Sequence, residues 1–190
     1  MDTKTKILEK TKRIFAQNGY EAFSMRILAK EVPIAPSVLY HYFEDKDALL
    51  KSMFDYLNTD LGQKRSQLPV SRNASEMLKN RIIFQLDNSE AIVAVLKYFM
   101  AFRKKFPQFE EGYLPDKSSL HIEEVLRLGI SSGEFYSPNL KHDAKVITHA
   151  INGFLLEYYP DIPLGNEKTN LVENIHQFLI RALMKGGDSK

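Results

Sequence analysis

The chain has 190 residues, 44% hydrophobic and 26% charged, a composition that excludes a disordered protein and leaves room for a sizeable core. Cysteine is absent, which excludes disulfides and thiolate chemistry. The formal charge of +2 is too small to identify a polyanionic partner, although the whole excess lies in residues 1–51, with nine Lys or Arg against seven Asp or Glu.

No segment has the uninterrupted apolar length of a membrane span. The opening MDTKTKILEKTKRIF lacks the apolar core of a secretory signal, so a cytoplasmic location is expected. Ile7, Leu8, Ile14, Phe15 and Ala16 recur at helical spacing and predict an amphipathic helix over residues 4–17. Asn18 and Gly19 supply its exit. Ser24 is placed to cap a short second helix with Ile27 and Leu28 on its inner side. A third short helix is predicted from about Pro36 to Tyr42. Asp45 caps a fourth, with Leu49, Leu50, Met53, Phe54 and Leu57 among its apolar positions. Strands are disfavoured here: the apolar residues do not alternate, and Pro33 and Pro36 would interrupt a central sheet.

The segment LPVSRN at 68–73 marks a boundary between structural units. Beyond it, helices are predicted over 74–86, 90–106, 118–130, 139–159 and 167–185, with KKFPQFEEGYLPDKSS and YYPDIPLGNEK as the clearest loops. The expected fold class is all-α.

Residues 24–43, SMRILAKEVPIAPSVLYHYF, read as two helices crossing at a turn. Ala29 is small where the helices must approach. Leu28, Ile34, Val38, Leu39 and Tyr42 are expected to fill the angle between them. Pro36 falls in the first turn of the third helix, where its missing N–H costs nothing and its fixed φ helps. Ser37, Tyr40 and His41 are left for the outer side. This is a helix-turn-helix, whose second helix can enter the DNA major groove.

Phe15, Gly19, Tyr20, Ser24, Ile27 or Leu28, Ala29, Leu39, Tyr40, Phe43, Lys46 and Leu49 form a selective pattern across residues 7–55. In that pattern the chain strongly resembles the TetR family of transcriptional regulators. The resemblance implies a three-helix DNA-binding domain over residues 1–50, followed by a helical effector-binding and dimerisation domain over 51–190. It also implies that the Tyr40 hydroxyl and Lys46 reach phosphates and that Ser24 lies close to one. Phe43 becomes core, and His41, outward beside Tyr40, is a further phosphate-contact candidate. Pro36, Ser37 and Val38 lie where family members vary their base readout, and none of the three offers a bidentate pairing. The turn departs from the family pattern. Where a small residue and glycine usually precede valine and a hydroxyl residue, Val32, Pro33, Ile34 and Ala35 stand. Pro33 cannot take a positive φ, so a different backbone path is expected. Ala35 lacks a capping oxygen, which costs about 1 kcal/mol.

The resemblance further implies a homodimer reading a palindromic or pseudopalindromic operator, a repressor released by a small-molecule effector, and no cofactor. Aromatic residues dense within 84–113 suggest a bulky, apolar or amphipathic effector. The candidate pocket residues are Met77, Phe84, Leu96, Phe99, Met100, Phe102, Phe106, Tyr113, Leu126, Asn152 and Tyr158, with a filled core as the competing explanation. Small Ala150 and Gly153 favour close helix contact. The last two helices are therefore the expected dimer interface, through Ile147, Ile151, Phe154, Leu155, Leu171, Ile175, Phe178, Leu179 and Ala182. A metal enzyme would have to use His121 with Glu124 or His142 with Asp143, and no cysteine completes a familiar zinc set. The chain is expected not to be an enzyme. A purely architectural helical dimer is the other alternative.

Overall fold

The computed structural model describes residues 2–71, 73–103 and 115–184. All regular structure among them is α-helical. The elements are α1 (Thr3–Ala22), α2 (Met25–Glu31), α3 (Pro36–Tyr42), α4 (Lys46–Ser66), α5 (Ala74–Asp87), α6 (Ser89–Phe102), α7 (Pro115–Ser132), α8 (Leu140–Tyr158) and α9 (Gly165–Leu183). Among the described residues no helix is long and apolar enough to cross a membrane.

Local chemistry explains the starts and stops. Asp2, Ser24 and Asp45 each accept the backbone N–H three residues on, at 2.8, 3.2 and 2.8 Å, and so open α1, α2 and α4. Gly19 (φ 71°, ψ −172°) interrupts α1 where the Asn-Gly pair predicts an exit, and helical geometry resumes briefly as far as Ala22.

The chain divides into two compact units that do not follow chain order. The first contains α1–α4 and α6; the second contains α5 and α7–α9. In the first, α1 packs mainly on α6 and also on α4. Leu28, Leu39, Leu49, Leu50 and Met53 are fully buried there. An aromatic ladder joins α4 to α6: Phe54 stacks on Tyr98 at 4.3 Å, and Tyr98 stacks on Phe102 at 4.3 Å. Phe15 meets Phe23 edge-on at 6.0 Å beneath the α1–α2 corner.

In the second unit α7 packs on α8, and α5 packs on α9, α7 and α8. Leu78, Ile82, Val125, Leu126, Ile151 and Leu155 form its centre, each 1% exposed or less. Gly129 admits the Phe135 ring so closely that an added Cβ would lie 2.1 Å from it. The start of α5 is held by distant residues. Glu134 accepts the Ala74 and Ser75 N–H groups, both at 3.2 Å, and His176 Nε2 donates to the Ser75 carbonyl at 2.9 Å.

Glu134 therefore caps α5 from the α7–α8 connection. Burial raises its carboxyl, but hydrogen bonds from the Ser132 hydroxyl and the Ala74 and Ser75 amides outweigh this and hold it below the usual 4.5. A depressed carboxyl stabilises the fold above its unfolded pKa, and that contribution disappears as pH falls through the folded value. We expect Glu134→Ala to cost about 1 kcal/mol at pH 7. Urea titrations of the two proteins should converge in acid below pH 4.5. A gap that persists undiminished there would exclude the ionised cap.

Candidate nucleic-acid interface

Exposure along α3 separates an anchoring side from a presenting side. Leu39 is fully buried and Phe43, just past the helix, is 3% exposed; one turn apart, they fix the inward direction. Pro36, Ser37 and His41 are exposed, Tyr40 is 56% exposed and Val38 is half-buried. The helix begins without a side-chain cap at Ala35 and with Pro36 in its first turn, as the sequence implies. The turn before it uses no left-handed residue. Among the described residues only Gly19, Gly133 and Gly165 have positive φ. Val32 instead closes α2 in extended geometry, and the Ile34 N–H returns to the Val32 carbonyl at 2.8 Å.

Two sequence expectations about burial require correction. Ile27 is 39% exposed and Tyr42 is 41% exposed, although both are expected to face inward; Leu28 does so, fully buried. Tyr42 sits beside His41, their rings 5.5 Å apart and nearly perpendicular, and adds a fourth side chain to the polar and aromatic surface of α3. Sequence reasoning also passed over Arg26 and Lys30. Both are exposed on α2, four residues apart and thus on one face.

Ser24 is half-buried and its oxygen is engaged as the α2 cap, which leaves the hydroxyl proton free to donate. Lys46 is half-buried at the start of α4. Its ammonium lies 3.8 Å from the Tyr20 ring centroid and donates to the Tyr20 carbonyl at 2.5 Å. The Tyr20 hydroxyl in turn donates to Asp47 at 2.7 Å. Between α4 and α1, Tyr56 donates to Glu9 at 2.8 Å; burial and that carboxylate push its phenol up to about 12. An open cleft of about 410 Å³ along α1 is lined by charged residues of both signs, including Lys6, Arg13 and Glu31.

The residues expected to line an effector pocket fall in both units. In the first, Phe102 is buried in the aromatic ladder, Leu96 and Phe99 are half-buried, and Met100 is 52% exposed. In the second, Phe84 and Leu126 are buried, Met77 and Asn152 are half-buried, and Tyr158 is 39% exposed. Phe106 and Tyr113 lie outside the described residues. Among the described residues no group of three or more His, Cys, Asp and Glu side chains could hold a metal ion. His121 and Glu124 form a 3.4 Å pair one turn apart.

The nine residues expected at a dimer interface also separate. Ile147, Ile151, Leu155, Ile175 and Leu179 are buried within the core of the chain's own second unit. Phe154 is 40% and Phe178 63% exposed, Ala182 is exposed and Leu171 is half-buried. Val146, Ala150 and Gly153 are exposed beside Phe154 on the same side of α8, and a Cβ at Gly153 would meet nothing within 4 Å. An apolar face with small residues at its centre is left on α8 and α9.

The family described as bacterial regulatory proteins, tetR family, matches residues 7–53. The regulator UidR of Escherichia coli K12 is 39% identical over 51 residues, 27% of this chain and 26% of UidR, so the match spans about a quarter of that relative. A fatty acid metabolism regulator protein of Bacillus subtilis is 25% identical over 87% of this chain and 86% of its own length. The structure of the fatty acid degradation regulator FadR of Bacillus halodurans superposes with a TM-score of 0.70, covering 95% of this chain and 96% of that one at 20% identity, which shows a common fold. Residues 7–53, which carry the helix-turn-helix of α2 and α3, therefore match the tetR family of bacterial regulatory proteins, and the chain as a whole shares the fold of FadR.

Proposed function

We propose that the chain is a homodimeric, cytoplasmic, sequence-reading DNA-binding regulator, acting as a repressor that a bulky, largely apolar small molecule releases from its operator. The observation that carries the reading is the division of α3: Leu39 and Phe43 anchor it, while Pro36, Ser37, Tyr40, His41 and Tyr42 are presented outward. A seven-residue helix with this exposure suits insertion into a major groove. Ser24, Tyr40, His41 and Lys46 would position the duplex through phosphates, and Pro36, Ser37 and Val38 would touch base edges or thymine methyls. On this reading residues 1–50 read DNA, and residues 51–190 bind effector and dimerise.

The exposed α8–α9 face supports the homodimer. Phe154, Phe178 and Ala182 would meet their copies across a twofold axis, which calls for an operator of matching symmetry with half-sites about one helical turn apart. The apolar side chains among the pocket candidates, and two relatives named for fatty acid metabolism and degradation, make an acyl-chain compound the first effector to try. Release requires that the effector bind one conformation more tightly than the other, for instance by displacing α4.

Selection of binding fragments from the source genome, followed by titration at several salt concentrations, tests the DNA reading. A shared inverted repeat bound far above scrambled DNA supports it; equal weak binding to all fragments that fades with salt rejects base readout. If saturating effector leaves operator affinity unchanged, induction by that compound is wrong. Arg26 adds a narrower expectation. Arg26→Ala should weaken binding uniformly across operator variants and flatten the salt slope by about 0.9, as loss of one phosphate contact does. An unchanged slope would remove Arg26 from the interface.

A further inference from the structure

Three contacts tie α6 to α1. Glu90 of α6 pairs with Lys12 of α1 at 3.3 Å. Lys97 donates to the Ala16 carbonyl at 2.6 Å and the Gln17 carbonyl at 3.1 Å. The Phe102 ring meets Tyr20 edge-on at 5.2 Å. Positions rise together along the two helices, so α1 and α6 run parallel. The middle contact differs in kind from the others. Ala16 and Gln17 belong to the last turn before Gly19 leaves helical geometry, where a helix runs short of N–H partners and carries its negative dipole end. The Lys97 side chain lies along this break, its Cδ 4.0 Å from where a Gly19 Cβ would stand. Burial pushes its ammonium below the usual value, so this charge is partly withdrawn from water and directed at carbonyls rather than at a carboxylate.

The chain beyond the break has little slack. Only Phe23 and Ser24, both in extended backbone geometry, separate the end of α1 from the start of α2. Phe23 is 1% exposed, and Ser24 is half-buried and already committed to capping α2. Any displacement of the α1 terminus therefore passes into α2 and, through the tight Val32–Ala35 turn, into α3. From the other side, Lys46 of α4 holds the Tyr20 carbonyl.

We propose that Lys97 is a positioning residue for the DNA-reading helices: its ammonium, delivered from α6, caps the broken end of α1 and so sets the pose of α2 and α3. Lys97 does not touch DNA in this arrangement. It acts through the carbonyls of Ala16 and Gln17, and the proposal rests on the DNA-reading function above only where operator affinity is the readout.

The test compares Lys97→Met, which keeps most of the apolar stem and removes the donor, with Lys97→Arg, which keeps a cation. Lys97→Met should lower operator affinity about tenfold, the scale of a lost charge-assisted hydrogen bond. The salt slope should not change, because no phosphate contact is lost. Lys97→Arg should recover most of the affinity. Wild-type affinity in Lys97→Met overturns the proposal, and so does a flattened salt slope, which would make Lys97 a phosphate contact. A second measurement needs no variant to fold. In the free wild-type protein, the Lys97 ammonium protons should exchange with water more slowly in NMR than those of exposed Lys4 and Lys30. Equal exchange rates overturn the cap. Should the wild-type protein select no operator, the DNA reading falls, and the exchange measurement alone decides whether Lys97 caps α1.

Discussion

In the homodimer proposed above, Phe178→Arg should yield a folded monomer whose operator affinity is at least about 100-fold below that of the wild-type protein. Phe178 is 63% exposed on α9, so within one chain the substitution meets little but solvent and should change folding stability by no more than about 0.5 kcal/mol. Across a twofold axis the same position occurs twice, and two guanidinium groups would be driven into an apolar patch beside each other. An unpaired buried charge costs several kcal/mol, which is enough to dissociate an interface of ordinary size. A monomer contacts one half-site. Specific affinities of about 10⁻⁸ to 10⁻¹¹ M draw on both halves, so losing one removes at least two orders of magnitude. Sedimentation or light scattering reports mass, circular dichroism reports folding, and a fluorescence titration reports affinity. A Phe178→Arg protein that stays dimeric would move the interface away from this part of α9.

Phe54→Ala should give the largest loss of stability in the first unit, about 3–5 kcal/mol. Phe54 is 1% exposed and stacks on Tyr98, whose far face stacks on Phe102. Removing the middle of α4's inner side leaves a cavity that α1 and α6 cannot close without shifting the ladder. Natural stabilities are only about 5–15 kcal/mol, so the melting temperature should fall by roughly 10 °C or more. Met100→Ala on the same unit, at a side chain 52% exposed, serves as the control and should move it little. Comparable losses for the two would mean that the ladder is not what holds α4 to α6.

Much of the reading unit was legible because its signals are local. Ser24 and Asp45 each sit three residues before the N–H they accept, so the composition near a helix start is enough to find them. Leu49, Leu50, Met53, Phe54 and Leu57 lie on a 21-residue helix, long enough for spacing to fix the buried face, and all are buried. The inward assignment of Ile27 and Tyr42 failed for the converse reason. Each lies on a seven-residue helix, and two turns are too few to phase a face when neighbouring positions are also apolar. The grouping of α6 with α1 was not legible at all. It depends on pairs such as Lys97 with Ala16, 81 residues apart, and nothing in either neighbourhood announces the other. The α8–α9 residues show an intermediate case. Spacing identified the apolar positions, but only packing separates Ile151 and Leu155, turned into the chain's own core, from Phe154 between them.

The return of α6 to the first unit bears on transplantation. A chimera could join this chain's DNA reader to another protein's sensor at the end of the matched segment, residues 7–53. Here a cut near residue 53 would carry away α1, α2, α3 and the start of α4 while leaving behind Lys97, Tyr98 and Phe102. The transplanted piece would present the Ala16 and Gln17 carbonyls without their lysine and the Tyr20 ring without Phe102, and would depend on whatever sixth helix the host happened to supply. A chimera of this protein should therefore be made from two non-adjacent segments, and its reader inherited together with the helix that braces it.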